Sequence, residues 1–162
     1  MNNNYNRNQN NQFKKQEQIC IYQPLSEYYN DGAKLYLPTG SAYQYANQFK
    51  GIPTHQLRKI LNETKEALIE LNRSSDGYKD ARNRMFGIVA MTAYNSGRMM
   101  KLSSKDKEAY KNLFYFIKAH LSEKTIISPK DIVVFDKLFT SIIAYHTSIN
   151  QLDKENKRGG KS

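Results

Sequence analysis

Apolar residues recur at helical spacing through four long stretches of the chain, and clusters of Gly, Pro, Asn, Asp and Ser separate them. Pro53-Thr54 opens the first, with Thr54 as the expected N-cap, and Leu57, Ile60, Leu61, Thr64, Leu68 and Leu71 mark one face over about five turns. The second, Asp80 to Lys101, has an uncharged middle from Met85 to Tyr94, between Arg82 and Arg84 on one side and Arg98 and Lys101 on the other. Met85, Ile88, Val89, Thr92 and Ser96 form one stripe on it, and Phe86, Ala90, Ala93 and Gly97 a second of mostly small residues. That pattern predicts a central helix covered by neighbours on at least two sides, its basic ends emerging at the rim because an unpaired buried cation is too costly. A third helix follows a turn at Leu102-Ser103-Ser104, with Ser103 and Asp106 spaced as a capping box and Tyr110, Leu113, Phe114, Ile117 and Leu121 facing inward. The last has the clearest start: Ser128 as N-cap, Pro129 in the first helical position, and Asp131 against the positive end of the helix dipole. Its inward face, Ile132, Phe135, Leu138, Phe139, Ile142, Tyr145 and Ile149, extends it to about Leu152.

A shorter helix, Ala42 to Lys50, precedes these four and stops at Gly51. The expected architecture is therefore all-α: a compact bundle of four long helices plus one short N-terminal helix, spanning residues 39–152. Residues 1–18 carry seven Asn within the first twelve positions and offer almost nothing to bury, so a disordered tail is expected. Residues 19–38 contain Pro24 and the turn signal Asn30-Asp31-Gly32, which suggests an irregular Tyr-rich segment or a small hairpin. Residues 153–162 are charged and contain glycine, which predicts a second disordered, basic tail.

Charge changes the picture from fold towards partner. Of the 162 residues, 25 are Lys or Arg and 15 are Asp or Glu, a formal net charge of +10 that favours polyanions such as nucleic acid, an acidic surface or an acidic protein. The single Cys20 rules out an internal disulfide framework, and one Cys with three His cannot build a Cys-rich zinc site, which fits a reducing cytoplasm. No stretch approaches the roughly 18 apolar residues of a membrane span, so no membrane partner is expected.

Nothing in the chain assembles into catalytic chemistry. It has no Gly-rich phosphate loop, no HExxH and no Gly-x-Ser-x-Gly, and its carboxylates lie mainly beside Lys or Arg on charged helix faces. His146 lies on an inner helix face as a hydrogen-bonded structural residue, His120 near a helix C-terminus suits the negative dipole end, and His55 at a helix start suits a neutral contact to phosphate or base. No enzyme activity, cofactor or metal is expected.

Anion binding has better support. Lys50, His55, Arg58 and Lys59 gather around one helix start, whose free N–H groups favour phosphate; Lys79, Arg82 and Arg84 gather at one end of the central helix, and Arg98 and Lys101 at the other. Each alone also fits a solvated charged face, but guanidinium suits phosphate geometry better than ammonium. Tyrosines at 22, 28, 29, 36, 43 and 45 suit stacking on bases, or the packing of an otherwise poorly structured segment.

Three segments then resemble one family. IPTHQLRKILNE at 52–63, AYNSGR at 93–98 and LFTSIIAYHTSIN at 138–150 are similar, in order and spacing, to segments of the small subunit of the type III-A CRISPR effector, the Csm complex. The likeness covers roughly residues 50–150. It implies a non-catalytic helical subunit of an antiviral ribonucleoprotein, stacking in several copies along the guide–target duplex and touching target-strand phosphates. Its partners would be guide RNA, target RNA, the other Csm subunits and further copies of itself. By position the resemblance carries RNA contact to Arg58 and Arg98; Lys50, His55, Lys59, Lys79, Arg82, Arg84 and Lys101 rest on charge alone. Some members place a basic residue two turns before the Gly-Arg pair, where this chain has Met91, leaving Arg84 as the nearest substitute. Two other readings stay open: a helix-turn-helix DNA-binding regulator, because GIPTHQLRKIL resembles a turn and recognition helix, and a protein-only helical scaffold.

Overall fold

The computed structural model describes residues 23–101 and 104–160; the proposed N-terminal tail, Tyr22 and Ser103 of the expected capping box lie outside the described residues. A 3-10 turn, Leu25–Tyr28, leads into six α-helices: α1, Gly32–Tyr36; α2, Ser41–Gln48; α3, Thr54–Leu71; α4, Gly77–Arg98; α5, Ser104–His120; and α6, Pro129–Gly159. A second 3-10 turn, Met99–Lys101, follows α4. Among the described residues there is no strand, and the all-α expectation holds.

The axis of the core is α6, not α4. Ile132, Phe135, Leu138, Phe139 and Ile142 of α6 are each fully buried. By contrast α4 buries the single stripe Gly77, Ala81, Met85, Ile88 and Thr92, while Gly87, Ala90, Ala93, Tyr94 and Gly97 face outward. The expected cover on two sides is present, from α3 and α5, but the stripe of small residues faces outward and the core axis passes to α6. Small residues bring little apolar area to a contact, so α3 and α5 pack on the larger-residue stripe of α4, and α2 and α3 also close on α6. Over its most apolar stretch α6 has a mean hydropathy of 1.3, enough by length and composition to cross a membrane, contrary to the sequence expectation; 56% of that stretch is buried inside the bundle, as in a core helix.

The start of α6 forms as expected. The Asp131 carboxylate accepts hydrogen bonds from the Ser128 and Ile127 amides at 2.8 and 3.0 Å, satisfying donors that would otherwise lack partners at a helix start. Tyr29 also donates its hydroxyl to Asp131, tying the N-terminal segment to this cap.

Three boundaries differ from the sequence reading. Asn30-Asp31-Gly32 is not a hairpin turn but a helix start: Asp31 accepts from the Lys34 amide at 3.1 Å and opens α1. Leu25, Tyr28 and Leu35 bury their side chains in the core, which gives this segment a reason to be helical. Thr54 is the first residue of α3, preceded by Pro53, so it does not cap the helix; its hydroxyl lies 3.4 Å from His146 Nδ1. The expected C-terminal tail is helical through Gly159, because Asp153 pairs with Lys50 at 2.6 Å and Lys157 and Arg158 suit the negative end of the dipole.

Aromatic side chains weld α2, α5 and α6 together. Phe116 of α5 has Tyr45, Phe49, Phe135 and Phe139 at centroid distances of 4.7, 5.5, 6.0 and 6.1 Å. The N-terminal tyrosines mostly serve packing: Tyr28 and Tyr45 are core residues, and Tyr43 meets Tyr145 edge-on at 5.3 Å. His146 is buried and its Nε2 lies 3.2 Å from the Phe49 carbonyl, as its structural reading predicted.

His120 departs from its expected role as a cation at a helix end. It is fully buried beside Phe116, donates from Nδ1 to the Phe116 carbonyl at 2.8 Å, and burial pushes its pKa from 6.5 down to about 4. The unfolded chain takes up this proton near pH 6.5 and the folded chain only near pH 4, so folding stability falls as pH drops through that window. The expected loss is up to about 3 kcal/mol by pH 4. Thermal melts between neutral and acid pH should show it, and His120→Gln should flatten the slope.

Candidate nucleic-acid interface

Helices α3 and α4 form an antiparallel pair. Gly77, at the start of α4, packs so closely on the end of α3 that a Cβ there would sit 2.2 Å from the Glu70 carbonyl oxygen. In the next turns Arg84 reaches back to Glu70 at 2.7 Å and Glu63 at 2.8 Å. The first turns of α3 and the last turns of α4 therefore lie at the same end of the bundle.

At that end the structure gathers most of the expected basic residues. His55, Arg58 and Lys59 leave the start of α3, and Arg98 and Lys101 the end of α4; all five are exposed and none makes an ion pair among the described residues. Helical spacing separates two flanks. Lys59 stands one turn before Glu63, on the stripe that meets Arg84 of α4. Arg58 stands two turns before Lys65, which bonds Asp136 of α6 at 2.7 Å.

The remaining candidates are distributed otherwise. Arg82 donates to the Ile126 and Glu123 carbonyls at 2.7 and 3.1 Å and covers the Phe86 ring at 4.9 Å, closing the α5–α6 connection. Arg84 is clamped between its two glutamates, which raise its pKa by hydrogen bonding and keep it charged within the pair. It is thus committed where Met91 left it as the substitute contact. Lys79 is exposed at the far end of the α3–α4 pair, and Lys50 is held by Asp153.

Two features escaped the sequence reading. Lys154 and Lys157, assigned to a tail, project from the last turns of α6 into a cleft of about 740 Å³ that also touches Lys50, His55 and the start of α3. Their i, i+3 spacing, continuing the helix beyond Leu152, was the available signal. Tyr94 lies outward on α4 with the Arg98 guanidinium 5.7 Å from its ring centroid. The sequence showed it as the end of the uncharged stretch 85–94 and as part of AYNSGR, with no stacking role. Among the described residues no group of three or more His, Cys, Asp or Glu is arranged to hold a metal ion.

Comparison with protein families identifies the fold's lineage. The model of the Csm2 type III-A family matches residues 34–151, most of the chain. This chain belongs to the Csm2 type III-A family. It is accordingly a small subunit of the type III-A Csm complex, a CRISPR-associated assembly with other subunits. The match takes in α2 through most of α6 and reaches back into α1, further towards the N-terminus than the likeness of 50–150. No curated protein and no solved structure matches the chain. Within this Csm2 domain all three resembling segments fall on helices that the structure packs together: α3, the end of α4, and α6.

Proposed function

We propose that this Csm2-family chain binds the phosphate backbone of target RNA, reads no sequence and catalyses no reaction, and that copies of it stack along the guide–target duplex in the cytoplasmic effector. One observation supports this most: cations that make no ion pair among the described residues converge from three helices at one bundle end, Arg58 and Lys59 of α3, Arg98 of α4 with Lys101 after it, and Lys154 and Lys157 of α6. Cations that serve the fold are bonded instead, as Arg82 and Arg84 are. A backbone-binding surface needs mobile, unpaired charge because phosphates repeat regardless of sequence.

Titrating the full chain with single-stranded RNA at salt concentrations from about 50 to 200 mM tests this. With three to five phosphate contacts, log affinity should fall against log salt with a slope of about −2 to −3.5, alike for unrelated sequences. Salt-insensitive binding would sink the reading. Preference for one duplex DNA sequence would favour the helix-turn-helix alternative, and no affinity for either nucleic acid would leave the protein scaffold.

A further inference from the structure

We propose that Tyr94 is a stacking platform for an unpaired nucleobase of the RNA strand held by the basic end, an inference that rests on the function proposed above. Tyr94 is 66% exposed, more than any other aromatic among the described residues. Tyr28 and Tyr45, in contrast, are buried in the core. Phenol rings this exposed near the end of a helix contribute little to folding, because their apolar area stays in water.

The surroundings keep the ring open. Outward neighbours on α4 are Gly87, Ala90, Ala93 and Gly97, and a Cβ added at Gly87 or Gly97 would meet nothing within 4 Å. A flat group can therefore approach the ring without displacing a side chain. The Arg98 guanidinium, one turn on, lies over one face of the ring at 5.7 Å from its centroid and adds a positive charge there, so a base would stack on the opposite face. Arg98 and Lys101 make no ion pair among the described residues, so a phosphate attached to the stacked nucleoside finds counter-charges one and about two turns on. A ring flanked by cation and small residues matches a base with its phosphate. It suits an apolar helix poorly, since Gly and Ala offer such a partner almost no side-chain area to bury.

Stacking differs from phosphate contact in what it senses. A base-bearing RNA and an abasic RNA of equal length carry the same phosphates, so only the stacking contribution separates them. For the full native chain, affinity for base-bearing RNA should exceed that for abasic RNA by about 5- to 100-fold at one salt concentration. Tyr94→Leu should abolish the difference, Tyr94→Phe should retain it, and the salt slope should be the same for all three proteins. Equal native affinity for the two RNAs, or a difference that survives in Tyr94→Leu, overturns the stacking role alone. If Tyr94→Leu instead alters sedimentation of the RNA-free chain and leaves both RNA affinities as they were, the ring is a protein contact and the proposal fails. A native chain that binds neither RNA overturns the RNA-binding reading itself.

Discussion

Arg58→Glu combined with Arg98→Glu should weaken binding of single-stranded RNA by about 100-fold. Both side chains are exposed and free of ion pairs among the described residues, so their replacement removes two cations without opening the core. A hydrogen bond to a charged group contributes about 1.5 kcal/mol at the lower end of its range, and two such losses amount to about 3 kcal/mol, or two powers of ten in affinity. The salt slope should become shallower by about 1.4, because two fewer phosphates are neutralised. Circular dichroism should stay unchanged. Arg84→Gln provides the contrast: its guanidinium is committed to Glu63 and Glu70, so RNA affinity should hold within about 2-fold. That clamp is partly exposed, which limits its contribution to at most about 1 kcal/mol of stability. Undiminished affinity in the double variant, or a loss in Arg84→Gln equal to it, would contradict the assignment of contacts to the basic end.

The largest effect on stability is expected from Phe116→Ala. Phe116 is 1% exposed and its ring touches aromatic groups of α2 and α6 as well as His120 of its own helix at 4.3 Å. Removing it leaves a cavity that rigid rings on three sides cannot collapse to fill, a loss of about 3–5 kcal/mol. For a domain of this size each kcal/mol lowers the melting temperature by about 2–4 °C, so a fall of about 6–20 °C should appear in thermal unfolding. Its neighbour Tyr115 is 53% exposed, and Tyr115→Ala should change stability by less than about 1 kcal/mol. A Phe116→Ala protein that melts with the native chain would mean that the three helices do not join through this ring.

Helix identity was legible wherever a stripe of large apolar side chains met a clear start signal. Ser128-Pro129 with Asp131 shows this at α6, and the Leu57, Ile60 and Thr64 stripe shows it for α3. Where the local signal was ambiguous, the reading went astray for reasons a sequence does not carry. Asn30-Asp31-Gly32 is compatible with a hairpin turn and with a capped helix, and the burial of Leu25, Tyr28 and Leu35 selects the helix. The residues after Leu152 are polar enough for a tail, and the contact between Asp153 and Lys50 selects a longer α6.

Residue types and spacing by themselves determined that this chain is helical, strongly basic and without a recognisable catalytic motif, because helical periodicity and charge are local properties. They also carried the likeness to the Csm2 family. Tertiary structure decided which helix is central and which cations are free. An uncharged stripe does not reveal whether a neighbour covers it, and α4 proved to face outward along its small residues while α6 took the core. Nor does an arginine's neighbourhood in sequence reveal its partner. Arg82 and Arg84 find theirs 41 and 14 residues away, on the α5–α6 connection and on α3, whereas Arg98, among the described residues, lies over the Tyr94 ring and makes no ion pair. Long-range packing creates those partners, and it is what separates a cation that holds the fold from one left exposed to solvent.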